Sequence, residues 1–216
     1  MKSTRSKIDK QDLETRFGHE YDSIGTLQSG IAKVKRGGMF GIINKSGKLL
    51  APLEYEYISD FRTKLAVAEK NGKYCLLNTK GEEVTPCVYE SMEERWYGDS
   101  KVPDFSYGLL KVGFEGKFGF IDKKGKIKIQ AVYDQAENFV SPGQSWACKG
   151  GKWGMINAKG ETIIDFILDE IHFERKDIGY IVVTLNGKVD VVDYSGNILS
   201  NSDLEEMHQE KNKRKQ

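Results

Sequence analysis

The sequence predicts an all-β repeat fold, and three observations carry the prediction. One motif recurs five times: Gly-Lys-aromatic-small residue, two apolar residues, Asn or Asp, then Gly three positions on. Its copies start at Gly38, Gly72, Gly116, Gly151 and Gly187, and the aromatic position (Phe40, Tyr74, Phe118, Trp153, with Val189 in the last copy) recurs at intervals of 34, 44, 35 and 36 residues. Every copy also closes with the same turn chemistry: Asn44 with Gly47, Asn78 with Gly81, Asp122 with Gly125, Asn157 with Gly160 and Asp193 with Gly196. A period in this range marks a repeat architecture, in which neighbouring units bury one another's faces because none has a core of its own.

The third copy is the most regular and justifies the elements in order. Leu109 to Val112 is a short apolar run, Gly113 to Lys117 a glycine-bearing turn, and Phe118 to Asp122 a second run rich in aromatic and branched residues. These read as two strands of a hairpin. Asp122-Lys123-Lys124-Gly125 closes the next hairpin: the Asp carboxylate bonds backbone two residues on, and Gly takes the left-handed conformation that lets a G1 bulge form. A third strand carries Ile127 and Ile129 and ends on Tyr133-Asp134, matched by Tyr21-Asp22, Tyr55-Glu56, Tyr89-Glu90 and the weakened Leu168-Asp169.

The expectation is about five tandem three-stranded meanders. Alternation along the middle strand puts Phe118 and Phe120 on one face and Gly119 and Ile121 on the other. The position after the aromatic is small in four copies (Gly41, Cys75, Gly119, Gly154), so the aromatic of one repeat is expected to pack over the small site of its neighbour. The chain enters the pattern late, at Tyr21, and the last copy stops near Ser200. This favours closure into a propeller-like ring, with the N-terminal piece completing the last unit. The alternative is an open β-repeat stack, for which Asp190 in the fifth copy is the polar face of a cap. Outside the pattern lie residues 1–18, expected to be flexible or loosely helical, and a charged helix or tail over 202–216, where Ser202 to Glu205 has capping-box spacing; the β-repeat domain spans 19–201.

The phrases Gly-Lys-Trp-Gly-Met-Ile-Asn-Ala-Lys-Gly at 151–160 and Gly-Lys-Phe-Gly-Phe-Ile-Asp-Lys-Lys-Gly at 116–125, with the tyrosine–acid pairs, resemble the bacterial WG repeat, also called the KWG repeat. The resemblance covers roughly Tyr21 to Ser200 and implies an all-β repeat domain acting as a binding module. The fifth copy departs from it, with Val189 and Asp190 where an aromatic and a small residue belong.

Composition narrows the function classes. Among 216 residues, 33 Lys and Arg face 32 Asp and Glu, a net charge of +1, so charge balance points to neither nucleic acid nor an anionic membrane. Lys111, Lys117, Lys123, Lys124, Lys126 and Lys128 crowd one repeat, where turn lysines keep strand edges from pairing with other chains. Met1 to Lys10 is polar and basic with no apolar run behind it, which excludes a signal peptide there, and no stretch of eighteen apolar residues exists; the expected location is the cytoplasm. The three cysteines, Cys75, Cys87 and Cys148, form neither a metal pair nor a redox motif by spacing and are expected to be small buried hydrophobes in a reducing compartment. No nucleophile elbow, zinc spacing or phosphate-cradling loop is present, and His19, His172 and His208 lie far apart in the pattern, so no catalytic residue, metal or cofactor is expected.

Two sets of residues are candidate sites. The long interval comes from an insertion over 93–104 holding Arg95, Trp96, Tyr97, Asp99 and Lys101. Insertions in repeat proteins fall on one face, often the binding face, and Trp, Tyr and Arg are the types enriched in interface hot spots. A loop that buries its own aromatics is the competing reading. The second set is the acids after the repeat tyrosine, Asp22, Glu56, Glu90, Asp134 and Asp169, which either bond local backbone or line one end of a ring and attract a cation. The sequence therefore reads as a non-enzymatic module that binds another protein. The alternative is a small-ligand or glycan-binding repeat domain, in which Phe40, Tyr74, Phe118 and Trp153 would be exposed in equivalent ways.

Overall fold

Each copy of the motif forms its own antiparallel meander in the computed structural model of the chain, which describes residues 9–61, 64–140, 142–175 and 179–213. The first sheet has the order β1 (Ser23–Ile24), β2 (Ile31–Arg36), β3 (Met39–Asn44) and β4 (Leu49–Tyr55). The second is β5 (Tyr57–Ile58), β6 (Leu65–Lys70) and β7 (Lys73–Asn78). The third copy contributes β8 (Ser91–Met92), the hairpin β9 (Glu94–Tyr97) and β10 (Ser100–Pro103), then β11 (Leu109–Phe114), β12 (Lys117–Asp122) and β13 (Ile127–Tyr133), with β8 paired to β11. The fourth sheet runs β14 (Gln135–Ala136), β15 (Gln144–Lys149), β16 (Lys152–Asn157) and β17 (Thr162–Leu168), and the fifth β18 (Glu170–Arg175), β19 (Tyr180–Leu185) and β20 (Lys188–Asp193).

The chain divides into two units, one of residues 1–115 with 121–127, the other of 116–120 with 128–216. In the first, Ile42, Tyr55, Ile58, Phe61, Ala66 and Leu77 form one core cluster, and Val67, Leu76, Tyr89, Met92, Leu110 and Ile121 another. In the second, Trp146, Met155, Ile164, Leu168, Ile181 and Val183 pack together.

The expected three-stranded meander gains a further strand. The two residues after each tyrosine–acid pair start the next meander as a short outer strand: Ser23 pairs with Lys35, Tyr57 with Glu69 and Gln135 with Cys148. Two residues are too few to show a period, so the sequence pattern passes over them. The late entry at Tyr21 follows from this arrangement. Ser23 and Ile24 pair with β2 of the first sheet, and among the described residues the last sheet holds β18, β19 and β20. Ahead of it, helix α1 (Lys10–Phe17) starts at a capping box between Asp9 and Asp12 and buries Leu13 against Ile24, Ala32, Val34 and Ile43. Residues 10–17 are thus docked rather than loose. Helix α2 (Asn201–Lys213) is also capped, two residues earlier than its sequence suggests: Asp203 accepts from Ser200 N (2.7 Å) while Ser200 Oγ accepts from Asp203 N (3.3 Å).

The turn chemistry holds in all five copies. Asn44 Oδ1 accepts from Ser46 N and Lys48 N at 2.9 and 3.0 Å, and Asp193 Oδ1 from Ser195 N and Asn197 N at 2.8 and 2.9 Å. Asn78, Asp122 and Asn157 make the same two bonds. The glycine that follows has φ of 84° at Gly47 and 86° at Gly196, a region open to glycine at little cost.

The small residue of the middle strand has a different neighbour from the one expected. A Cβ at Gly41 would stand 2.8 Å from Ala51 O, at Gly119 2.7 Å from Ile129 O, and at Gly154 2.6 Å from Ile164 O. The approaching group is the carbonyl of the same repeat's third strand, brought in where the ladder slips its register around Ile42 and Met155. The three nearest atoms at each of these glycines all belong to its own repeat. The second repeat carries Cys75 here, and its third segment forms no continuous strand. Leu77–Glu83 and Tyr74–Tyr89 bridge, but between them Leu76 N donates to the Thr85 hydroxyl (3.0 Å) in place of a main-chain carbonyl.

Cys75 is joined instead to Cys87, twelve residues on, by a disulfide with a Cα–Cα distance of 4.3 Å. The expectation of three free thiols is corrected; Cys148 alone is free, and buried. The signal was present in the repeat register: Gly119 and Ala131 are equally spaced and meet at the same place, Ala131 N lying 2.7 Å from the missing Cβ. Spacing rules for isolated Cys pairs do not see this. With the pair oxidised, the cysteine argument for a reducing compartment lapses.

Gly154→Ala should lose at least ~2 kcal/mol in equilibrium urea unfolding, because the added methyl displaces main chain rather than a flexible side chain. A loss under ~0.5 kcal/mol would show that the third strand can move away freely.

Candidate functional site

The insertion folds as an ordered hairpin. Tyr97 pairs with Ser100 across Gly98 (φ 62°) and Asp99, and the ladder continues through Trp96–Lys101, Arg95–Val102 and Glu94–Pro103. Glycine at the first central position suits the tight type II′ hairpin turn. The hairpin has two unlike strands. On β10, Ser100, Val102 and Pro103 are buried, whereas Arg95, Trp96 and Tyr97 of β9 are exposed, Trp96 at 69% and Tyr97 at 55% of full accessibility. The two rings therefore do not fold back into the core. Lys101 Nζ sits 5.2 Å from the Trp96 ring centre, and the Arg95 guanidinium pairs with Asp104 at 3.5 Å, so cationic side chains hold the platform from its flank and base.

A polar network fixes the hairpin to the first unit. Tyr57 OH donates to Glu94 Oε1 (3.0 Å), Asp60 N to Lys101 O (2.9 Å), and Lys33 Nζ pairs with Asp60 Oδ1 at 2.6 Å while donating to Ile58 O at 3.0 Å. Burial raises the Glu94 carboxyl above the usual range, more than the Tyr57 and Ser59 hydrogen bonds and the Lys101 and Lys33 charges lower it. Burial also pushes Asp60 up, but bonds from Lys33, Ser100 and Gln28 with the Lys33 charge outweigh it, and its net shift is downward.

The acids after the repeat tyrosine meet neighbouring turns. Asp22 Oδ2 accepts from Gly37 N (2.8 Å), Glu56 Oε1 from Asn71 N (3.1 Å), Asp134 Oδ2 from Gly151 N (3.3 Å) and Asp169 Oδ2 from Gly187 N (2.9 Å). Each of these amides lies in the hairpin turn of the repeat that the acid introduces. The motif lysine closes the clamp from the other side: Lys117 bonds Asp134, Lys152 bonds Asp169, and Lys73 reaches Glu90 at 3.5 Å. The lysine bond first, and the turn amides after it, hold Asp134 and Asp169 below the ordinary carboxylate range. The sequence reading takes Lys117 as a turn lysine that guards a strand edge; the constant offset of seventeen residues between motif lysine and acid is the signal of their pairing.

The repeat aromatics Phe40, Tyr74, Phe118 and Trp153 are all half-buried. Beside Trp153, between the fourth and fifth sheets, lies a cleft of about 410 Å³ lined by Glu137, Trp146, Trp153, Glu170 and Ile171. Among the described residues no helix is long and apolar enough to cross a membrane.

These features define an all-β protein of tandem meanders carrying one hairpin insertion. The model of the WG containing repeat matches at residues 40–74, 118–153 and 153–188, and the chain carries WG repeats at those positions. No curated protein matches it. Among solved structures, the β-propeller protein Hsv2 of Kluyvelomyces marxianus is 12% identical with a TM-score of 0.35, over 81% of this chain and 59% of that one. Hsv2p of Kluyveromyces lactis is 11% identical with a TM-score of 0.34, over 86% and 64%. The chain thus spans about three fifths of the length of these structures, and the fold rests on its own strands.

Glu94 and Asp60 give the hairpin opposite pH responses. The raised Glu94 contributes stability that is full below the ordinary glutamate value and is lost as pH rises through its folded value. The lowered Asp60 contributes stability present above the ordinary aspartate value and lost as pH falls through its folded value. Limited chymotrypsin cleavage at Trp96 and Tyr97, corrected for the enzyme's own pH profile, should be slowest in mildly acidic buffer. Glu94→Gln should remove the decline toward neutrality; an unchanged profile would contradict the assignment.

Proposed function

We propose that the protein is a non-enzymatic binding module that takes another protein through the β9–β10 hairpin. The observation that carries this reading is the exposure of Trp96 and Tyr97 on a strand whose partner strand buries Ser100, Val102 and Pro103. Exposed neighbouring aromatics on a rigid base offer large contact area at little ordering cost, the condition under which such residues become hot spots. Single exposed apolar residues are ordinary on a surface, but these two rings, which strand alternation places on opposite faces of β9, stand on an insertion that only one repeat carries.

The test is capture from the native host with wild-type and Trp96→Ala/Tyr97→Ala protein in parallel, with a photo-crosslinking residue at position 99 to report direct contact. The reading predicts that the crosslinked partner falls at least tenfold in the variant while Tm moves by less than about 2 °C. A Tm loss above about 5 °C would mean that the rings stabilise the fold, and an undiminished crosslink would place the interface elsewhere.

A further inference from the structure

Comparison of equivalent positions among the repeats exposes a second site. Seven residues before the motif aromatic stand Lys33, Val67, Lys111, Trp146 and Val182. Their equivalence is visible in the main chain: each of the first four carbonyls accepts from the residue four past the preceding repeat tyrosine, as Lys33 O from Gly25 N (2.8 Å), Val67 O from Ser59 N (2.8 Å), Lys111 O from Glu93 N (3.1 Å) and Trp146 O from Glu137 N (2.9 Å).

Where this position is lysine, the ammonium group is held by an acid, which for Lys111 is Glu93 of its own repeat and for Lys33 is Asp60 of the next repeat. Lys111 Nζ lies 3.2 Å from Glu93 Oε2, and Lys33 Nζ lies 2.6 Å from Asp60 in a cleft of about 230 Å³. The fourth repeat keeps the acid, Glu137, but replaces the lysine with Trp146. Glu137 and a second carboxylate, Glu170, both line the larger cleft there, and among the described residues neither has an ion-pair partner or side-chain hydrogen bond. Two carboxylates, the indoles of Trp146 and Trp153, and an apolar wall at Ile171 provide charge attraction, π faces and room for a short alkyl stem. That is the chemistry that recognises an alkylammonium group.

We infer that the cleft between the fourth and fifth sheets binds an alkylammonium group, either a free amine or a lysine side chain of a peptide, in the place that Lys111 and Lys33 fill from within the chain in their own repeats. This site shares no residue with the hairpin and does not depend on the hairpin's role.

In a Trp96→Phe background the two remaining tryptophans, Trp146 and Trp153, both line the cleft, so their emission reports on it directly. Titration with n-pentylammonium should give a saturable change, and 1-pentanol, its neutral counterpart, should give none over the same range. The double variant Glu137→Gln/Glu170→Gln should weaken the response at least about tenfold, and added salt should weaken it in wild type. Trp146→Lys should abolish the response by supplying the chain's own ammonium group; circular dichroism checks that it folds, and the Gln variant decides if it does not. A lysine-containing peptide binding more tightly than the amine, with its Nε-acetylated form inactive, would assign the ligand to a peptide; the reverse order would assign it to a free amine. No saturable change, an equal response to pentanol, or a response untouched in the Gln variant would overturn the inference.

Discussion

Each repeat depends on how closely its third strand can approach its second. In three repeats a carbonyl oxygen sits 2.6 to 2.8 Å from the point where a Cβ would begin, at Gly41, Gly119 and Gly154. Glycine permits the contact, the contact sets the register slip, and the slip lets the third strand end on Tyr55, Tyr133 or Leu168, whose following acid reaches the next turn. The second repeat shows the constraint by breaking it. With a Cβ at Cys75, Leu76 N finds the Thr85 hydroxyl, and a covalent bond to Cys87 joins positions that simple packing joins elsewhere.

The acid clamps carry this local geometry from repeat to repeat. Asp134 and Asp169 each join a lysine of the preceding repeat to a turn amide of the next. The paired Gly-Lys of the motif thus has a physical reading: glycine completes the turn, and lysine neutralises the acid seventeen residues on. Carboxylates committed to such bonds have little capacity left for a cation. The functional candidates lie where the repeat rule is interrupted. The hairpin departs by insertion and presents Trp96 and Tyr97 outward. The cleft departs by substitution, a tryptophan standing where the first and third repeats have lysine.

The parts of the fold legible in the sequence were those set by local chemistry in several copies. Asn44 and Asp193 bond their turns alike because an Asx turn involves only four or five consecutive residues, and the alternation of β3 or β12 is equally local. The outer strands escaped because Ser23–Ile24 and its equivalents are two residues long and are defined by a partner, not by a pattern. The disulfide escaped because Cys75 and Cys87 are read as an isolated pair unless the repeat register aligns them with Gly119 and Ala131. At the site, the residue types of the insertion pointed to Trp96 and Tyr97, but their exposure depends on β10 burying Val102 and Ser100, a tertiary fact. Glu137 and Trp146 were invisible without the repeat register that aligns them with Glu93 and Lys111.

The central claim is that the residue after the motif aromatic decides whether the third strand closes. The direct measurement is hydrogen exchange on Cys75→Gly/Cys87→Leu, which gives the second repeat the Gly41, Pro52 and Leu53 pattern of the first, Pro86 already standing where Pro52 stands. Amides at Leu76 and over residues 83–89 should gain protection at least about tenfold, as the strand ladder replaces the Thr85 hydroxyl. Unchanged or reduced protection there, in a variant that remains folded, would contradict the account.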